Sequence, residues 1–384
     1  MTVWDSLVGQ RRAVEALRAA AGGHGMSHAW LFTGPPGSGR SNAAVAFAAA
    51  LQCTEDEKGC GVCHACHTVL AGSHADVKRV STEGLSLGVR LVRDLVRASA
   101  LSPVGRGWQI IVVEDADRLT EQAVNALLKA IEEPAERTVW MLCTPTVEDV
   151  LPTIRSRCRL VALTTPTAAD VADFLVRTDG VSEALASYAA RASQGHIGRA
   201  RALARDEDTR DRRRHVVAMP ARMTSLGRCM DAAKELVEVT KAEADAITTE
   251  LDAREKADLD AAYGVVERGR RPREYAPALA ELLKDQKSRA KRRHLDVIDR
   301  GLMDLVSVYR DAVAVAIEAP GDLVNAEIRG DVEQVVATST PELNLRRIGW
   351  IFEAREQMLD FNVPPALALE SMMVALQAQE LTPR

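Results

Sequence analysis

His28-Ala-Trp-Leu-Phe-Thr33, followed by Gly34-Pro-Pro-Gly-Ser-Gly-Arg-Ser41, decides the fold class of this 384-residue chain. The first part is a short apolar run that ends in a Gly/Pro-rich turn, which is typical of a buried strand. The Ala-rich stretch from Ser41 to Leu51 predicts a helix. A glycine-rich turn between a strand and a helix is where a phosphate-binding loop belongs, because backbone N–H groups and the helix N-terminus point at the phosphates there.

Strands and helices are predicted to alternate through the first 160 residues. Further strands are expected at 76–80, 109–113 and 138–143, and helices from Val89 and over 123–131. Such βα alternation indicates an α/β domain with a parallel sheet and helices on both faces. After about residue 163 the strand signals vanish and the pattern is helical. We therefore predict an α/β domain (1–163), a small helical domain (164–205) and an all-α domain (206–384), with a charged, exposed connection at 267–274.

The composition limits the classes of function that this chain can have. Hydrophobic residues make up 47% of the chain and aromatic residues only 4%, so that Ala, Leu and Val dominate and favour helix. The net charge of −5 gives no overall basic field, and any contact with nucleic acid requires a local patch. Neither a signal peptide nor an apolar stretch of about 18 residues is found, which predicts a cytoplasmic protein without a membrane partner.

The glycine-rich loop departs from the standard nucleotide-binding pattern at one position. The pattern G-x-x-x-x-G-K-[ST] is met by Gly34, Gly39 and Ser41, and Gly37 adds a further glycine, but Arg40 replaces the lysine. Lysine reaches the β/γ-phosphates as a compact ammonium, whereas arginine presents a planar fork. The loop is thus a candidate but degenerate phosphate site, and the alternative is a chance glycine-rich turn.

A second departure concerns the acidic residues after the strand at 109–113. Strands of such folds deliver carboxylates that hold Mg²⁺ and polarise the attacking water, usually as Asp followed by Glu. Here Glu114 takes the metal-binding position and Asp115 the water-activating position. Both carboxylates would be displaced, and a misplacement of about 1 Å can cost about 100-fold in rate. We expect hydrolysis to be lost or weakened; an acidic capping turn is the structural alternative.

Four of the seven cysteines crowd into one short segment, as Cys53-x6-Cys60-x2-Cys63-x2-Cys66. Without an export signal, reduced thiols that bind a metal are the better interpretation than disulfides. Four thiolates satisfy tetrahedral zinc and leave no open position, which predicts a structural ion rather than a catalytic one. Two alternatives stay open: His64 or His67 replaces a thiolate, or the cysteines are buried without metal.

Several further segments stand in a characteristic order with the glycine-rich loop and the four-cysteine insertion. They are Val8-Gly-Gln10, Asn125-Ala-Leu-Leu-Lys-Ala-Ile-Glu-Glu-Pro134, Ser156-Arg-Cys158 and Gly195-His-Ile-Gly-Arg-Ala-Arg201. In order and spacing, residues 1 to about 165 resemble bacterial clamp-loader AAA+ subunits of DNA polymerase III, and Gly195–Arg201 resembles their lid segment, whereas the C-terminal half resembles the family only as a helical collar of suitable size. The resemblance implies an α/β AAA+ domain, a helical lid domain and an all-α collar.

Within that family, Arg40 and the Glu114-Asp115 order resemble the delta-prime type, whose nucleotide site is commonly degenerate, rather than gamma/tau. The resemblance implies that Arg157 is an arginine finger acting in trans on a neighbouring subunit's nucleotide. It implies that Thr144 is the first sensor and Arg199 the second. A surface cation, a strand-end cap and a solvated helix residue are their respective structural alternatives. The implied partners are gamma/tau and delta subunits, the sliding clamp and primed DNA.

Basic residues also cluster between residues 284 and 293. A solvated helix face is the simplest interpretation, and a patch that faces DNA or a partner is the alternative. No aromatic residue is interleaved with them, which argues against stacking on single-stranded nucleic acid. The cluster consists of Lys284, Lys287, Arg289, Lys291, Arg292 and Arg293.

Three functions follow as hypotheses. The first is a clamp-loader subunit that supplies an arginine in trans and does not itself hydrolyse ATP. The second is an active AAA+ ATPase that tolerates Arg40 and the exchanged carboxylates. The third is a zinc-dependent DNA-binding factor with a vestigial phosphate loop, against which the ordered set of clamp-loader motifs stands. Zinc is the expected cofactor, while binding of ATP with Mg²⁺ stays open.

Overall fold

The apolar runs expected as strands form a five-stranded sheet in a computed structural model of the chain, which describes residues 2–82, 86–105, 107–263, 265 and 272–377. All strand pairs are parallel, in the order β2-β3-β4-β1-β5. Four of the five strands were expected from the sequence within a residue or two. The strands are β1 (Ala29–Thr33), β2 (Val77–Val80), β3 (Gln109–Val113), β4 (Thr138–Thr144) and β5 (Arg159–Ala162).

Strand β5 is absent from the sequence-based prediction. It is four residues long, lies at the edge of the sheet and alternates between buried and more exposed residues. Such a run carries little apolar signal, in contrast to β1, β3 and β4, whose residues are all buried.

Successive residues of the central strands pack on opposite faces of the sheet, as strand geometry requires. Trp30 and Phe32 lie in one hydrophobic cluster, and Leu31 lies in the other. The first cluster is covered by helices α1 (Arg11–Ala21), α2 (Arg40–Gln52) and α3 (His64–Leu70). The second is covered by α4 (Val89–Ser99), α5 (Glu121–Glu132) and α6 (Pro152–Arg155). The predicted α/β architecture is therefore confirmed.

Three short helices follow the sheet and share their own apolar cluster: α7 (Ala168–Asp179), α8 (Glu183–Ser193) and α9 (Ile197–Arg205). Helix α7 is capped at its N-terminus, because the Thr167 hydroxyl accepts a hydrogen bond from the Asp170 amide at 3.1 Å. Met1–Arg205 forms one compact unit. The finer boundary at 163/164 between an α/β domain and a lid domain stays a prediction.

In the second compact unit, Asp206–Arg384, all regular secondary structure among the described residues is helical. Its core gathers apolar side chains of all six of its α-helices, around Leu302, Leu305 and Val308 of the longest one. Most of the predicted charged connection lies outside the described residues. The helices are α10 (Glu207–Arg222), α11 (Leu226–Ala262), α12 (Tyr275–Ala316), α13 (Arg329–Ala337), α14 (Pro341–Leu359) and α15 (Pro365–Gln377).

The residues of the basic cluster at 284–293 lie on α12, and they differ in their environments. Lys284, Lys287 and Lys291 are exposed, as expected for a solvated helix face. Arg289, in contrast, is buried and forms ion pairs with Asp252 and Glu255 of α11. At least this member of the cluster therefore stabilises the pairing of two helices.

None of the helices among the described residues is sufficiently long and apolar to cross a membrane.

Candidate nucleotide site and metal centre

The glycine-rich loop lies at the carboxyl edge of the sheet, between the end of β1 and the start of α2. Thr33, the last residue of β1, pairs with Thr144 of β4 on one side and Ala162 of β5 on the other. The Gly34 amide donates to the Pro145 carbonyl at 3.1 Å, which ties the loop to the end of β4. Gly39 precedes α2 with a left-handed φ of 91°, a conformation that favours glycine. The loop thus has the position of a phosphate-binding loop.

The Arg40 side chain contacts the backbone of its own loop. Its Nη1 donates a hydrogen bond to the Gly34 carbonyl at 2.9 Å. Burial lowers the pKa of this guanidinium, while nearby acidic groups such as Asp115, Asp117 and Asp149 act in the opposite direction. The cation that replaces the phosphate-binding lysine is thus engaged by the loop's own backbone.

A buried glutamine fastens the loop to the segment after β5. The Gln10 side chain donates from Nε2 to the Thr164 carbonyl at 2.7 Å and accepts from the Thr164 amide at 3.1 Å. It also donates to the Ser38 carbonyl at 3.4 Å. Gln10 belongs to the segment Val8-Gly-Gln10, and its sequence alone assigns it no role. A single polar residue before a helix carries no local signal of a partner 154 positions away.

The lid segment covers the loop at Gly37. A Cβ atom at this glycine would lie 2.5 Å from Cγ and 2.6 Å from Cα of His196, closer than real contacts allow. Gly37 also has a left-handed φ of 84°. The turn before α9 therefore packs directly on the loop backbone, a contact that the sequence did not predict.

The two carboxylates after β3 are engaged by protein groups. Glu114 Oε1 accepts hydrogen bonds from Nε and Nη2 of Arg79, at 3.1 and 2.8 Å. Asp115 Oδ2 accepts from the Thr82 amide at 2.9 Å. Burial raises the pKa of the nearby Asp117 carboxyl, although the charges of Arg118 and Arg40 oppose this. The position expected to hold Mg²⁺ is thus occupied by an ion pair with an arginine.

Thr144 lies beside the loop, fully buried at the end of β4. Two acceptors lie within reach of its hydroxyl donor, the Thr146 carbonyl at 3.2 Å and Asp149 Oδ2 at 3.3 Å. These contacts match the strand-end alternative, and the sensor role stays a prediction.

The two predicted arginines differ in their surroundings. Arg199 lies in the first turn of α9, where its amide donates to His196 Nδ1 at 3.2 Å, and its side chain is partly buried. Arg157 is exposed just after α6. Its Nη1 donates to the Thr153 carbonyl at 2.7 Å, and its Nη2 lies 3.0 Å from Glu132 Oε1. This pair is too exposed to fix the guanidinium strongly.

The four cysteines converge as their spacing predicts. The sulfurs of Cys53, Cys60, Cys63 and Cys66 all lie within 4.8 Å of one another, and those of Cys53 and Cys63 are 3.9 Å apart. Tetrahedral zinc with Zn–S bonds of about 2.3 Å needs sulfurs about 3.8 Å apart. The donor set therefore fits a structural zinc ion, while neither His64 nor His67 belongs to this group among the described residues.

Backbone amides point at two of these sulfurs, as they do in thiolate sites. The amide of Cys63 lies 3.3 Å from Cys60 Sγ, and that of Cys66 lies 3.4 Å from Cys63 Sγ. Burial by itself would raise the pKa of Cys63, but hydrogen bonds from the Cys66 amide and other groups outweigh it and lower the value to about 6, whereas burial raises the pKa of Cys66. A thiolate at Cys63 is thus stabilised before any metal contributes its charge.

The N-terminal residues hold the cysteine segment, residues 53–66, in place. Trp4 Nε1 donates to the Lys58 carbonyl at 3.0 Å, and the Val3 amide donates to the Gly59 carbonyl at 3.0 Å. The ring of Trp4 lies against Gly59, whose φ of 85° is left-handed. A substitution at Gly59 would therefore disturb both the turn and its anchor.

Comparison with known proteins relates the first part of the chain to replication factors. Residues 9–167 match the family model described as DNA polymerase III, delta subunit. The DNA polymerase III subunit delta′ of Pseudomonas aeruginosa is 36% identical over 178 residues, which cover 44% of this chain and 54% of the relative. The delta′ subunit of Escherichia coli is 36% identical over 180 residues, covering 46% and 54%.

A gamma/tau subunit is similar over the same part. That of Mycobacterium tuberculosis is 34% identical over 154 residues, covering 39% of this chain and 27% of the relative. The matched segments thus span about half or less of the length of these relatives. A solved gamma subunit-related protein of Thermotoga maritima covers 95% of this chain and 98% of its own, at 15% identity and a TM-score of 0.45.

Proposed function

We propose that this chain, a clamp-loader AAA+ protein over residues 9–167, serves as a delta-prime-type subunit of a DNA polymerase III clamp loader. It does not hydrolyse ATP itself, and it supplies Arg157 to a nucleotide bound by a neighbouring subunit. Its partners are gamma/tau and delta subunits, and the assembly loads the sliding clamp onto primed DNA.

One observation carries the first half of this proposal: Arg40 donates to the Gly34 carbonyl of its own loop. A phosphate-binding cation has to be available to the nucleotide, and this one is engaged by the protein. The pairing of Glu114 with Arg79 supports the same conclusion, because a metal-binding carboxylate has to be free for Mg²⁺. His196 packed on Gly37 further restricts the space over the loop.

The position of Arg157 supports the second half. A guanidinium that acts on another subunit has to be exposed and weakly held, so that it can leave its resting contacts. Arg157 is exposed, and its ion pair with Glu132 joins two side chains that are 40% and 43% accessible. Pairs of this kind contribute about 0–1 kcal/mol. The guanidinium can therefore be transferred to a γ-phosphate at little cost.

We further propose one structural zinc ion per chain, bound by Cys53, Cys60, Cys63 and Cys66. The convergence of the four sulfurs supports it. When bound, the ion neutralises the thiolates and cross-links residues 53–66, a segment too small to build a core of its own. Gly34, Gly37, Gly39, Ser41, Thr144 and Arg199 remain proposed members of a degenerate nucleotide site.

The arginine in trans is tested by ATP hydrolysis in an assembly reconstituted from this chain with gamma/tau and delta subunits. Arg157→Ala is expected to leave assembly intact and to lower hydrolysis at the adjacent site, where arginine fingers contribute about 10³ to 10⁵ in rate. The drop in the whole assembly is smaller, since the other sites keep working. Arg157→Lys is expected to be nearly as harmful, because a point charge does not replace the fork.

Arg155→Ala is the matched control, since Arg155 is an exposed arginine at the end of α6, two residues before Arg157. Clamp- and DNA-stimulated hydrolysis is measured for each variant after assembly has been verified by gel filtration. Unchanged hydrolysis for both Arg157 variants leaves the chain as a scaffold without a catalytic contribution. Rapid hydrolysis by the isolated wild-type chain favours the active-ATPase alternative instead.

A further inference from the structure

A cavity of about 150 Å³ lies within the second unit, among helices α10, α12, α13, α14 and α15. Part of its wall is apolar, from Met223, Val335 and Leu376, and part is polar, from Thr338 and Arg347. Charged side chains seldom line the interior of a helical core without a partner. Arg347 is the residue that makes this cavity unusual.

Arg347 is only 8% exposed. Its guanidinium donates from Nη1 to Asn344 Oδ1 at 3.0 Å and stacks on the ring of Tyr309, with its central carbon 5.4 Å from the ring centre. The Nε atom is buried without a hydrogen-bond partner. No carboxylate forms an ion pair with Arg347 among the described residues. Since arginine stays protonated in proteins, its charge is uncompensated.

A second buried arginine of the same unit shows how such a charge is ordinarily neutralised. Arg213 is also nearly inaccessible, and it forms ion pairs with Asp304 at 3.2 Å and Glu327 at 2.8 Å. No carboxylate of the described residues plays this part for Arg347. A buried charge without a partner costs several kcal/mol, which indicates that something else supplies the negative charge.

Asn344 orients the guanidinium of Arg347, although it is not itself among the residues that line the cavity. Its Oδ1 accepts from both Arg347 and Ser339, which fixes the orientation of the amide group. The Nδ2 donor is then buried without a partner.

We propose that this cavity binds one carboxylate group, with Arg347 as its cation. A single planar guanidinium suits a carboxylate, which it can bind through two parallel hydrogen bonds. The apolar wall suits a short hydrocarbon stem. A phosphate would bring about two negative charges to one cation. A cavity of this size holds a molecule as large as benzene but is below the roughly 300 Å³ of sites for drug-sized ligands.

The carboxylate has two possible sources. One is a small organic acid or the acidic side chain of another polypeptide. The other is this chain itself: Glu380 lies outside the described residues, but in the sequence it follows Gln377 by three positions, and Gln377 lines the cavity. The proposal does not depend on the clamp-loader function, and its test uses the full chain by itself.

The test titrates sodium propionate, against sodium chloride at equal ionic strength, into the wild type, Arg347→Met, Arg347→Lys and Glu380→Gln. Two signals are followed: the urea midpoint of unfolding and the NMR resonance of the Arg347 Nε–H group, which is assigned by its loss in Arg347→Lys. We expect propionate to raise the midpoint and move this resonance. Arg347→Met is expected to weaken binding at least about tenfold. Arg346→Met, an exposed neighbour on the same helix, is the matched control and keeps the response.

The possible results distinguish the two sources of the carboxylate, and some of them would overturn the proposed site. A response in both the wild type and Glu380→Gln assigns the site to an external carboxylate. A response in Glu380→Gln alone assigns it to the chain's own Glu380. No response in either protein, or an equal response in Arg347→Met, overturns the proposal. A larger response to inorganic phosphate than to propionate overturns the assignment to a carboxylate. If Arg347→Met does not fold, the NMR comparison between the wild type and Glu380→Gln still decides.

Discussion

The glycine-rich loop at 34–41 and the cysteine segment at 53–66 flank the same helix, α2, but differ in how their polar groups are used. In the loop region, Arg40 is bound to Gly34 and Glu114 to Arg79, so that protein atoms occupy the groups a nucleotide and Mg²⁺ would need. In the cysteine segment, four sulfurs face one another at metal-binding distance. The cysteine segment thus keeps four donors that a metal ion would complete, whereas protein groups already bind the corresponding polar groups of the loop.

Replacing one of the four cysteines is expected to have the largest effect among the tests of this difference between the loop and the cysteine segment. Cys63→Ser is expected to reduce the zinc content from one ion per chain to well below one. It should also lower the free energy of unfolding by on the order of 4 kcal/mol or more, because the cross-link of residues 53–66 is lost. Metal analysis by mass spectrometry and urea unfolding measure the two effects. Cys158→Ser, outside the group of four, is the control, and an equal loss of zinc in it would refute the assignment.

The packing of the lid on the loop is tested by a pair of glycine substitutions. Gly37→Ala and Gly39→Ala both place an alanine at a left-handed φ, of 84° and 91°, but only Gly37 has His196 against it. We expect Gly37→Ala to cost about 1–3 kcal/mol more than Gly39→Ala, the usual penalty of overpacking. Tryptophan fluorescence during urea unfolding reports on this unit, which holds four of the five tryptophans. Equal losses would mean that the lid does not rest on Gly37 in solution.

The attachment of the cysteine segment is expected to have a smaller effect. Trp4→Phe keeps an aromatic ring but removes the Nε1 donor to the Lys58 carbonyl. One hydrogen bond contributes about 1 kcal/mol. We therefore expect zinc to dissociate somewhat faster from this variant, while the protein without chelator still contains one zinc ion per chain. The rate of zinc transfer to a chromophoric chelator measures this. Trp350→Phe, in the other unit, should transfer zinc at the wild-type rate.

The smallest expected effect is that of restoring the lysine. Arg40→Lys should leave the isolated chain without measurable ATP hydrolysis, because Glu114 and Asp115 keep their exchanged order and Glu114 keeps its ion pair with Arg79. Phosphate release over several hours is the measurement. Hydrolysis at a rate of about 1 s⁻¹ or more, typical of enzymes, would make Arg40 the sole defect and end the contrast between the two regions.

The sequence by itself determined the central strands, the phosphate-loop position of Gly34–Ser41 and the four-cysteine set. These features are local: a strand such as β3 is a continuous apolar run, and the cysteines lie within 14 residues of one another. Hydrophobic periodicity and ligand spacing act over such short distances, and they are therefore readable along the chain.

Only the tertiary structure decided which polar side chains are bound to other groups of the protein. Glu114 meets Arg79 across 35 residues, and Gln10 meets Thr164 across 154. The short edge strand β5, the contact of His196 with Gly37 and the unpaired charge of Arg347 have no pattern at short range either. Each depends on which distant segments the packed sheet and helices bring together, since a side chain's partner is fixed by position in space and not by its neighbours in sequence.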